Sequence, residues 1–340
     1  MPPRHLPVLD GWRGCAILLV LVGHFGTTRW INLGRFGVEL FFVLSGRLMA
    51  EILFERATPI KTFFIRRAAR IYPALIFFIL SMIALHFAQG DGQHIYGYVS
   101  ALSLTYNYYH IWFPEVPIVD HVWSLCVEEH TYILLGIVAL LWRRFQFPVF
   151  QVIAGLAALA CLDGLVSSAI GQDYTIVYWR SDVRAASILF GAAAYLRIRQ
   201  SEATGRYPAF LPALLLPISL LLNLNVVPDQ LKYSLGSLLL AVSVALIPSA
   251  PAFLRKRLVS TPLVLFGLWS YSIYLWQQPF YVLHESLNDG ISKALVVPAI
   301  TTGILSLLLI ERPLREYLNR ILAGSMTNRK EGVSKSYATP

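Results

Sequence analysis

Long apolar runs, separated by short polar segments, dominate this chain from end to end. About ten of the runs are long enough to cross a bilayer, which takes roughly 20 residues of helix. The runs are unbroken and do not alternate with polar positions in segments of about ten residues, so they predict helices and exclude a β-barrel. Their approximate limits are 13–29, 33–54, 71–89, 121–142, 148–170, 182–199, 208–226, 231–250, 263–285 and 292–311.

The composition agrees with this pattern. Of the 340 residues, 56% are hydrophobic and only 14% are charged, whereas an ordinary soluble domain has about 45–50% and 25%. So few charges argue against a soluble enzyme or a nucleic-acid-binding domain, and such high hydrophobicity excludes intrinsic disorder. The chain is therefore predicted to be an all-α polytopic membrane protein.

The positive charges indicate how the spans are oriented. The formal net charge is +9, and 21 of the 28 lysine and arginine residues fall at the termini or in the loops after even-numbered spans. Short cytoplasmic loops carry such an excess, so both termini are predicted to be cytoplasmic. That result requires an even number of spans, which supports ten, and it explains the basic balance without nucleic acid.

Three further expectations concern organisation. Residues 1–323 are expected to form one integral membrane domain, and residues 324–340 a polar, disordered tail. The segment 90–120 is expected to be the largest outward loop; its many aromatic side chains are either an interfacial belt or a sugar-stacking surface. The three cysteines and eight scattered histidines have no spacing typical of a disulfide framework or a metal site, so none is predicted.

Ionisable residues inside spans are expensive, and we treat them as candidates for a functional site. Arg13 and His24 are eleven residues apart, which at 100° per residue places both on one face of a helix, about 16 Å apart along the axis. Asp10 lies three residues before Arg13 and is placed to pair with it. His24 alone is compatible with a helix-packing histidine as well as with catalysis.

Two other spans carry polar residues that make a functional centre more plausible than packing alone. The second span contains Glu39 and Ser45, and the fourth contains the adjacent pair Glu128 and Glu129. Adjacent carboxylates in a membrane require a cation, protonation or a polar cavity. The fourth span therefore predicts a cavity filled by water or ligand.

A pair of arginines at the start of the third span suits an anionic ligand. Arg67 and Arg70 are spaced i, i+3, so one helix face presents two guanidinium groups on the predicted cytoplasmic side. That arrangement fits a phosphate-bearing ligand as well as ordinary topology-setting charge. In the ninth span, Tyr274 either lines the same cavity or compensates for backbone groups freed by Pro279.

At this point six motifs together resemble the acyltransferase-3 family of integral membrane O-acyltransferases, over residues 6 to 316. In chain order they are LDGWRGCAILLVLVGH with Arg13 and His24, GVELFFVLSG with Phe41, Phe42, Ser45 and Gly46, RAARIYP with Arg67 to Pro73, VWSLCVEEHTYIL with Trp123 to Tyr132, SYSIYLW, and ERPLR with Glu311 to Arg315. Four positions depart from the family pattern: Glu39 replaces an aspartate, His130 and Thr131 replace a glutamine and a phenylalanine, and Gln277 replaces a common histidine. The hydrolase-like domain that some members carry is not expected here.

The resemblance implies an acyl-CoA donor, most often acetyl-CoA, and no metal. On this interpretation we expect His24 to act as the general base, with Arg13 and Glu128 in catalytic roles, and we expect Arg67 and Arg70 to hold the CoA phosphates. We expect Glu128 or Glu129 to orient His24. Direct transfer and an acyl-histidine intermediate both remain open. The supporting residues on this interpretation are Asp10, Ser45, Trp123, Glu129, Tyr132 and Tyr274.

The acceptor that the resemblance implies is a hydroxyl of a cell-surface or exported glycan, such as an exopolysaccharide or lipopolysaccharide, with a small molecule as the second choice. The expected location is the bacterial inner membrane, in contact with lipid and with polysaccharide-synthesis machinery. A ten-span transporter or flippase, and a structural subunit of an export complex, stay open as alternatives. Thioester cleavage that depends on His24 separates the first interpretation from both.

Overall fold

The computed structural model describes residues 6–88, 94–200, 207–287 and 292–317. Within these ranges the backbone is almost entirely helical and contains no β-strand, which confirms the all-α prediction. The helices are α1 Pro7–Phe25, α2 Leu33–Ala50, α3 Ile60–Ala88, α4 Ile95–Leu102, α5 Tyr106–Trp112, α6 Val122–Phe145, α7 Val149–Ala169, α8 Tyr174–Trp179, α9 Ser181–Gln200, α10 Leu211–Leu222, α11 Asp229–Leu231, α12 Ser237–Ala245, α13 Ala252–Leu258, α14 Thr261–Leu287 and α15 Val296–Ser306. Five-residue π-helical turns follow α2, precede α12 and follow α15.

Five helical segments of the described chain are long and apolar enough to cross a membrane: α1, α3, α6, α7 and the segment 292–317 that contains α15. A sixth is formed if α13 and α14, which meet at a 50° bend, count as one span. The ten predicted runs all coincide with helices, but α2 and α9 carry three or more charged side chains each, and α10 and α12 are short. The chain is thus a multi-pass membrane protein, and the number ten stays a prediction.

The outer surface of the bundle is apolar, as a lipid-facing surface must be. In α7 only 22% of an apolar 18-residue stretch is buried within the protein, and large side chains point outwards along the helix. They include Leu159, Leu162, Leu165 and Val166, each about half exposed. In water such a surface would be an aggregation hazard, whereas in a bilayer it is the expected contact with acyl chains.

Polar and small residues lie at the helix contacts inside the bundle. A Cβ atom added to Gly46 of α2 would lie 1.7 Å from the carbonyl oxygen of Ile188 in α9, so only glycine permits this backbone contact. Gly191 makes the reverse contact, because its Cβ would meet the carbonyl oxygen of Val43 at 2.2 Å. Small residues are typical of membrane helix interfaces for this reason. The glycine of the SG motif therefore fixes α2 against α9.

Loops that were predicted on the same side of the membrane contact each other. At one end, Asn225 donates to the carbonyl oxygen of Arg29 at 2.9 Å, which joins the α1–α2 and α10–α11 connections. At the other end, Arg143 donates to the carbonyl oxygens of Leu53 and Thr58, which joins the end of α6 to the α2–α3 connection. These contacts agree with the alternation of helix directions on which the orientation was based.

Two segments that the sequence set apart, 90–120 and 324–340, lie partly or wholly outside the described residues. The polar tail 324–340 lies outside the described residues, as does 318–323. Of the outward loop 90–120, residues 90–93 also lie outside the described part, while the rest is folded into α4 and α5 rather than extended. Its aromatic side chains partly pack inwards, since Tyr98 and Tyr106 are buried. The segment is therefore a small helical cap, with Tyr96 and Trp112 left exposed at its surface.

Candidate active site

A cleft with a cavity volume of about 70 Å³ lies between α1, α2, α3, α6 and α14. Its walls combine guanidinium and carboxylate groups with aromatic rings. The helix α1 contributes Arg13, which lies between one and two turns after the start of the helix at Pro7. The sequence-predicted residues that line it are Arg13, Ser45, Arg67, Arg70, Glu128 and Tyr274. Five helices distant in sequence thus bring six of the eleven candidate residues to one space.

Arg67 lies at the centre of the charged groups. Its Nε donates to Glu129 at 2.7 Å and its Nη2 to Glu128 at 2.8 Å, so one guanidinium bridges both adjacent carboxylates. The guanidinium carbon also lies 4.2 Å from the centre of the Tyr132 ring. This bidentate and stacked geometry is one that lysine cannot reproduce. It also explains how two neighbouring carboxylates are accommodated in the membrane.

Glu128 accepts two more hydrogen bonds. Ser45 donates to its Oε1 at 2.9 Å, and the Tyr132 hydroxyl donates to its Oε2 at 2.8 Å. With Arg67 it therefore has three donors, from α2, α3 and α6. Each hydrogen bond to an ionised group contributes about 1.5–3 kcal/mol. The carboxylate is held in one orientation at the cavity wall.

Two other arginines line the same cavity in different states. Arg13 pairs with Asp10 at 3.1 Å, as its i, i+3 spacing predicts, which places Asp10 behind it. Arg70 lines the cavity one turn beyond Arg67 and forms no ion pair within the described ranges. It is the guanidinium there that is left for an anionic ligand.

His24 is placed by an uncharged partner. Its Nδ1 lies 2.6 Å from Oε1 of Gln277, and its ring stacks on Tyr281 with 4.2 Å between ring centres. Beside the other edge of the ring is Gly34, where an added Cβ would lie 3.5 Å from Nε2. The imidazole is therefore clamped between α14 and the start of α2.

A chain of amide hydrogen bonds assigns the proton on His24. Gln278 Nε2 donates to the carbonyl oxygen of Pro117 at 2.8 Å, and a backbone carbonyl can only accept. Gln278 Oε1 must then accept from Gln277 Nε2, at 3.2 Å, which leaves Gln277 Oε1 as the atom facing His24. Nδ1 of neutral His24 must donate, so the lone pair is on Nε2.

One expectation about side-chain partners is wrong. We expected a carboxylate to orient His24, but among the described residues Gln277 contacts it, and Glu128 and Glu129 are turned towards Arg67. Arg67 lies in the cleft wall as expected, with its Nε and Nη2 donating to those two carboxylates. Its contact with phosphates stays a prediction.

His24 is not among the residues that line the cleft. It lies eleven residues beyond Arg13 on α1, about 16 Å further along the helix axis. The two positions share a face of α1, and Tyr274 and Gln277 are one turn apart on α14. Helix faces with polar side chains thus lead from the cleft to the imidazole. Tyr274 itself donates to or accepts from Ser124 at 2.7 Å, which fixes its hydroxyl.

The remaining candidate, Trp123, stands behind the cavity wall. Its ring meets Phe42, a lining residue, edge to face at 5.9 Å between centres, and also contacts Tyr178 at 4.8 Å. Trp123 thus supports the wall and does not reach the open space.

The protein contains a second buried ion pair, which the sequence did not predict. Arg184 of α9 pairs with Glu39 of α2, and both side chains are only 1% exposed. Ser187 and Ser237 also donate to Glu39, at 2.7 and 2.6 Å. The sequence did carry a sign of it, because an arginine inside the predicted span 182–199 needs a partner. No group of three or more potential metal ligands occurs in the described ranges.

Comparison with known proteins gives the family of this chain. The family model described as an acyltransferase domain, that of the acyltransferase-3 family, matches residues 6–310. The chain therefore belongs to the acyltransferase-3 family.

Among curated proteins, the chain is 28% identical to a putative peptidoglycan O-acetyltransferase, YrhL, of Bacillus subtilis, over 92% of this chain and 55% of that protein. It is 27% identical to the peptidoglycan O-acetyltransferase OatA of Listeria monocytogenes, over 92% and 56%. It is 26% identical to the O-acetyltransferase OatA of Staphylococcus aureus, over 84% and 52%. The chain thus spans about half the length of these relatives. No solved structure matches it.

Proposed function

We propose that this chain is a membrane O-acyltransferase that moves an acyl group, in the first instance acetyl, from acyl-CoA to a hydroxyl of a cell-surface or exported glycan. The observation that carries the proposal is the cleft in which Arg13, Arg67 and Arg70 meet Glu128, on helices that also lead to His24. It combines a binding place for an anionic donor with a base whose accepting nitrogen is defined.

The proposed topology has ten spans with both termini in the cytoplasm, in the bacterial inner membrane. The distribution of basic residues supports it, as do the contacts between loops assigned to the same side. On this topology α3 begins at the cytoplasmic side, so Arg67 and Arg70 lie in its inner half. His24, near the end of α1, lies towards the opposite side.

For the donor, we propose that Arg70 contacts the CoA phosphates, with Arg13 beside it. Arg67 serves mainly to hold Glu128 and Glu129, because its Nε–Nη2 edge donates to both carboxylates. The pantetheine arm would extend from Arg70 along the shared face of α1 and α14. The roughly 16 Å from Arg13 to His24 is comparable with the length of such an arm.

The transfer step uses Nε2 of His24. The acceptor hydroxyl gives its proton to Nε2 while its oxygen attacks the thioester carbonyl, the C–S bond breaks, and the CoA thiolate takes the proton. Gln277 supports this role because it occupies the Nδ1 edge and leaves Nε2 with the lone pair. An ester and free CoA are the products. In the two-step version, Nε2 attacks the thioester first and the hydroxyl then removes the acyl group.

The acceptor is proposed to be a glycan because the named activity of the relatives is O-acetylation of peptidoglycan. Peptidoglycan is therefore the first acceptor to test, followed by exopolysaccharide and lipopolysaccharide. A transporter would need carboxylates available to a solute or proton. The residues that this alternative would use are Arg13, Glu39 and Glu128. Arg13 pairs with Asp10, Glu39 with Arg184 and Glu128 with Arg67, so the charges of all three are matched within the protein, which argues against transport.

The test compares membranes that contain the wild-type chain, His24→Ala or the control His86→Ala at matched abundance. His86 lies near the end of α3 and contacts Tyr98, away from the cleft. Acyl-labelled acetyl-CoA is supplied, and label in alkali-labile glycan ester is followed. We expect loss of about 10²–10⁴-fold in His24→Ala, the usual contribution of a general base, and normal transfer in His86→Ala.

Equal transfer in wild type and His24→Ala would overturn the role of His24. No transfer by the intact wild-type protein, with a broad set of acyl-CoA donors and glycan acceptors, would overturn the enzymatic proposal. Rapid quenching without acceptor tests the two-step route, because label on the peptide that contains His24 would indicate the acyl-histidine intermediate.

A further inference from the structure

A second cavity, with a volume of about 240 Å³, lies between α7, α8, α9 and the α11 turn. No candidate residue from the sequence lines it. On the proposed topology it lies on the side opposite to Arg67 and Arg70, because the α7–α9 and α10–α11 connections are extracytoplasmic. That is the side on which an exported glycan is met.

The walls of this cavity have the chemistry that a sugar requires. Tyr174 and Tyr233 are half-buried, and their hydroxyls lie 3.3 Å apart across the cavity wall. Amide and hydroxyl groups of Gln172, Ser168 and Gln230 also line it. A pyranose ring has an apolar C–H face that stacks on aromatic rings, and a rim of hydroxyls that needs such polar partners.

A neighbouring groove between α6, α7 and α9 is wider open. Leucines such as Leu134, Leu156 and Leu159 form its apolar wall, and its polar side chains are His130, Thr131, Asp163, Ser181 and Asp182. The second cavity differs because its polar groups are combined with three tyrosine rings, those of Tyr174, Tyr178 and Tyr233, on which a sugar can stack.

Among the described charged residues in or beside the cavity, one cation has no ion pair. Arg184 is neutralised by Glu39, and Asp229 is paired with Lys232 at 2.8 Å. Arg35 stacks over Tyr174 and Tyr178, at 4.8 and 5.0 Å from the ring centres, and has no carboxylate partner within the described ranges. Its donors are free for the oxygen atoms of a sugar.

Arg35 also connects this cavity with the base. It follows Gly34, the residue that lies against the Nε2 edge of His24. The first turn of α2 therefore has the imidazole on one side and the tyrosine rings on the other. A glycan held on the tyrosines would reach Nε2 by passing over this turn.

We infer that the cavity between α7, α8, α9 and α11 binds a sugar unit of the acceptor glycan, and that Arg35 and Gly34 form the path from it to His24. This inference rests on the proposed transferase function and adds the place where its acceptor binds.

The kinetic test uses Tyr174→Ala, which removes a stacking wall, and Ser168→Trp, which fills the cavity. Tyr96→Ala is the matched control, because Tyr96 is 74% exposed on the rival aromatic surface of residues 94–120. For both cavity variants we expect the KM for glycan to rise about tenfold or more, with kcat and the KM for acetyl-CoA within about twofold. Tyr96→Ala should match wild type.

Wild-type glycan KM in both cavity variants would overturn the inference. A raised glycan KM in Tyr96→Ala alone would move the acceptor to the other surface and would overturn it as well.

A binding measurement keeps the test independent of turnover. Cys15, Cys126 and Cys161 are replaced by serine, and Gln172→Cys or the control Tyr96→Cys is then labelled with an impermeant maleimide in sealed vesicles. Soluble fragments of peptidoglycan, exopolysaccharide and lipopolysaccharide are added in turn. We expect at least one of them to slow labelling at position 172 severalfold, and not at position 96.

Protection at position 172 in a protein that transfers no acetyl group would retain the sugar site while the proposed function fails. No protection by any of the saccharides would overturn the site, whatever the transferase assay shows.

Discussion

Two buried arginine–glutamate clusters lie in this domain, and they differ in what surrounds them. Arg67 bridges Glu128 and Glu129 at the wall of an open cleft, where a further cation, Arg70, has no ion pair in the described ranges. Arg184 meets one carboxylate, Glu39, and both are almost completely buried.

The difference teaches how to separate a site from a scaffold. The Arg184 cluster joins α2, α9 and the start of α12, where Arg184 and two serines hold Glu39. The Arg67 cluster also consumes its own charges, but it does so beside an opening with Arg13 and Arg70 in the wall. A buried ion pair alone therefore indicates only an energetic cost to the fold. A buried ion pair that lies beside an open cleft, next to an arginine without an ion pair, indicates a functional site.

The largest effect is expected where the scaffold pair is broken. Arg184→Met leaves Glu39 buried without its cation, which should lower the free energy of unfolding by about 3–5 kcal/mol. The measurement is thermal or denaturant unfolding of purified protein in detergent. The double variant Glu39→Gln with Arg184→Met removes both charges and should recover more than half of the loss. Wild-type stability in Arg184→Met would show that the pair is not structural.

The next prediction concerns the cleft and distinguishes the role of Arg70 from that of Arg67. Arg70→Ala should raise the KM for acetyl-CoA about tenfold or more, because a charge-assisted bond to phosphate is lost, and should leave the melting temperature nearly unchanged. Arg67→Ala should lower stability and activity together, since it leaves Glu128 and Glu129 without their cation.

Arg66→Ala is the matched control for these variants, because Arg66 is exposed beside Arg67 on the same helix. An unchanged donor KM in Arg70→Ala would contradict its assignment to the phosphates. An equal rise in Arg66→Ala would indicate general surface charge instead.

A smaller effect is expected in the amide chain behind His24. Gln277→Leu leaves the Nδ1 proton of His24 without an acceptor and frees the ring, so kcat should fall about tenfold with both KM values unchanged. Gln278→Leu acts one bond further away and should reduce kcat by less. A larger loss in Gln278→Leu than in Gln277→Leu, or a change confined to KM, would contradict this order.

Much of this organisation followed from the sequence. Apolar runs predicted the helices, and the i, i+3 spacing predicted the Asp10–Arg13 contact. The spacing of Arg13 and His24 placed both on one face of α1. Such properties depend on local periodicity, which a single sequence contains.

What the sequence did not contain was the choice between distant partners. It could not tell that Arg67 would bridge Glu128 and Glu129, 61 and 62 residues away. The sequence showed Gln277 only as a departure from the family pattern. It did not indicate that Gln277 contacts His24 directly, because the two residues are 253 positions apart. Side-chain pairing across helices depends on helix packing and rotation, which the pattern along the chain does not specify.

The smallest effect compares two serines that play equivalent parts in the two clusters. Ser45 donates to Glu128 and Ser187 to Glu39, and each carboxylate keeps other donors when its serine is lost. Each alanine variant should therefore remove about 1 kcal/mol of local stabilisation. The melting temperature should therefore fall slightly in both variants. In Ser45→Ala, kcat/KM for acetyl-CoA should also fall severalfold, because Glu128 becomes less well oriented at the cleft. In Ser187→Ala, activity should stay normal, because Glu39 does not line the cleft. Activity lost in Ser187→Ala and kept in Ser45→Ala would mean that the two clusters have exchanged the roles argued for them.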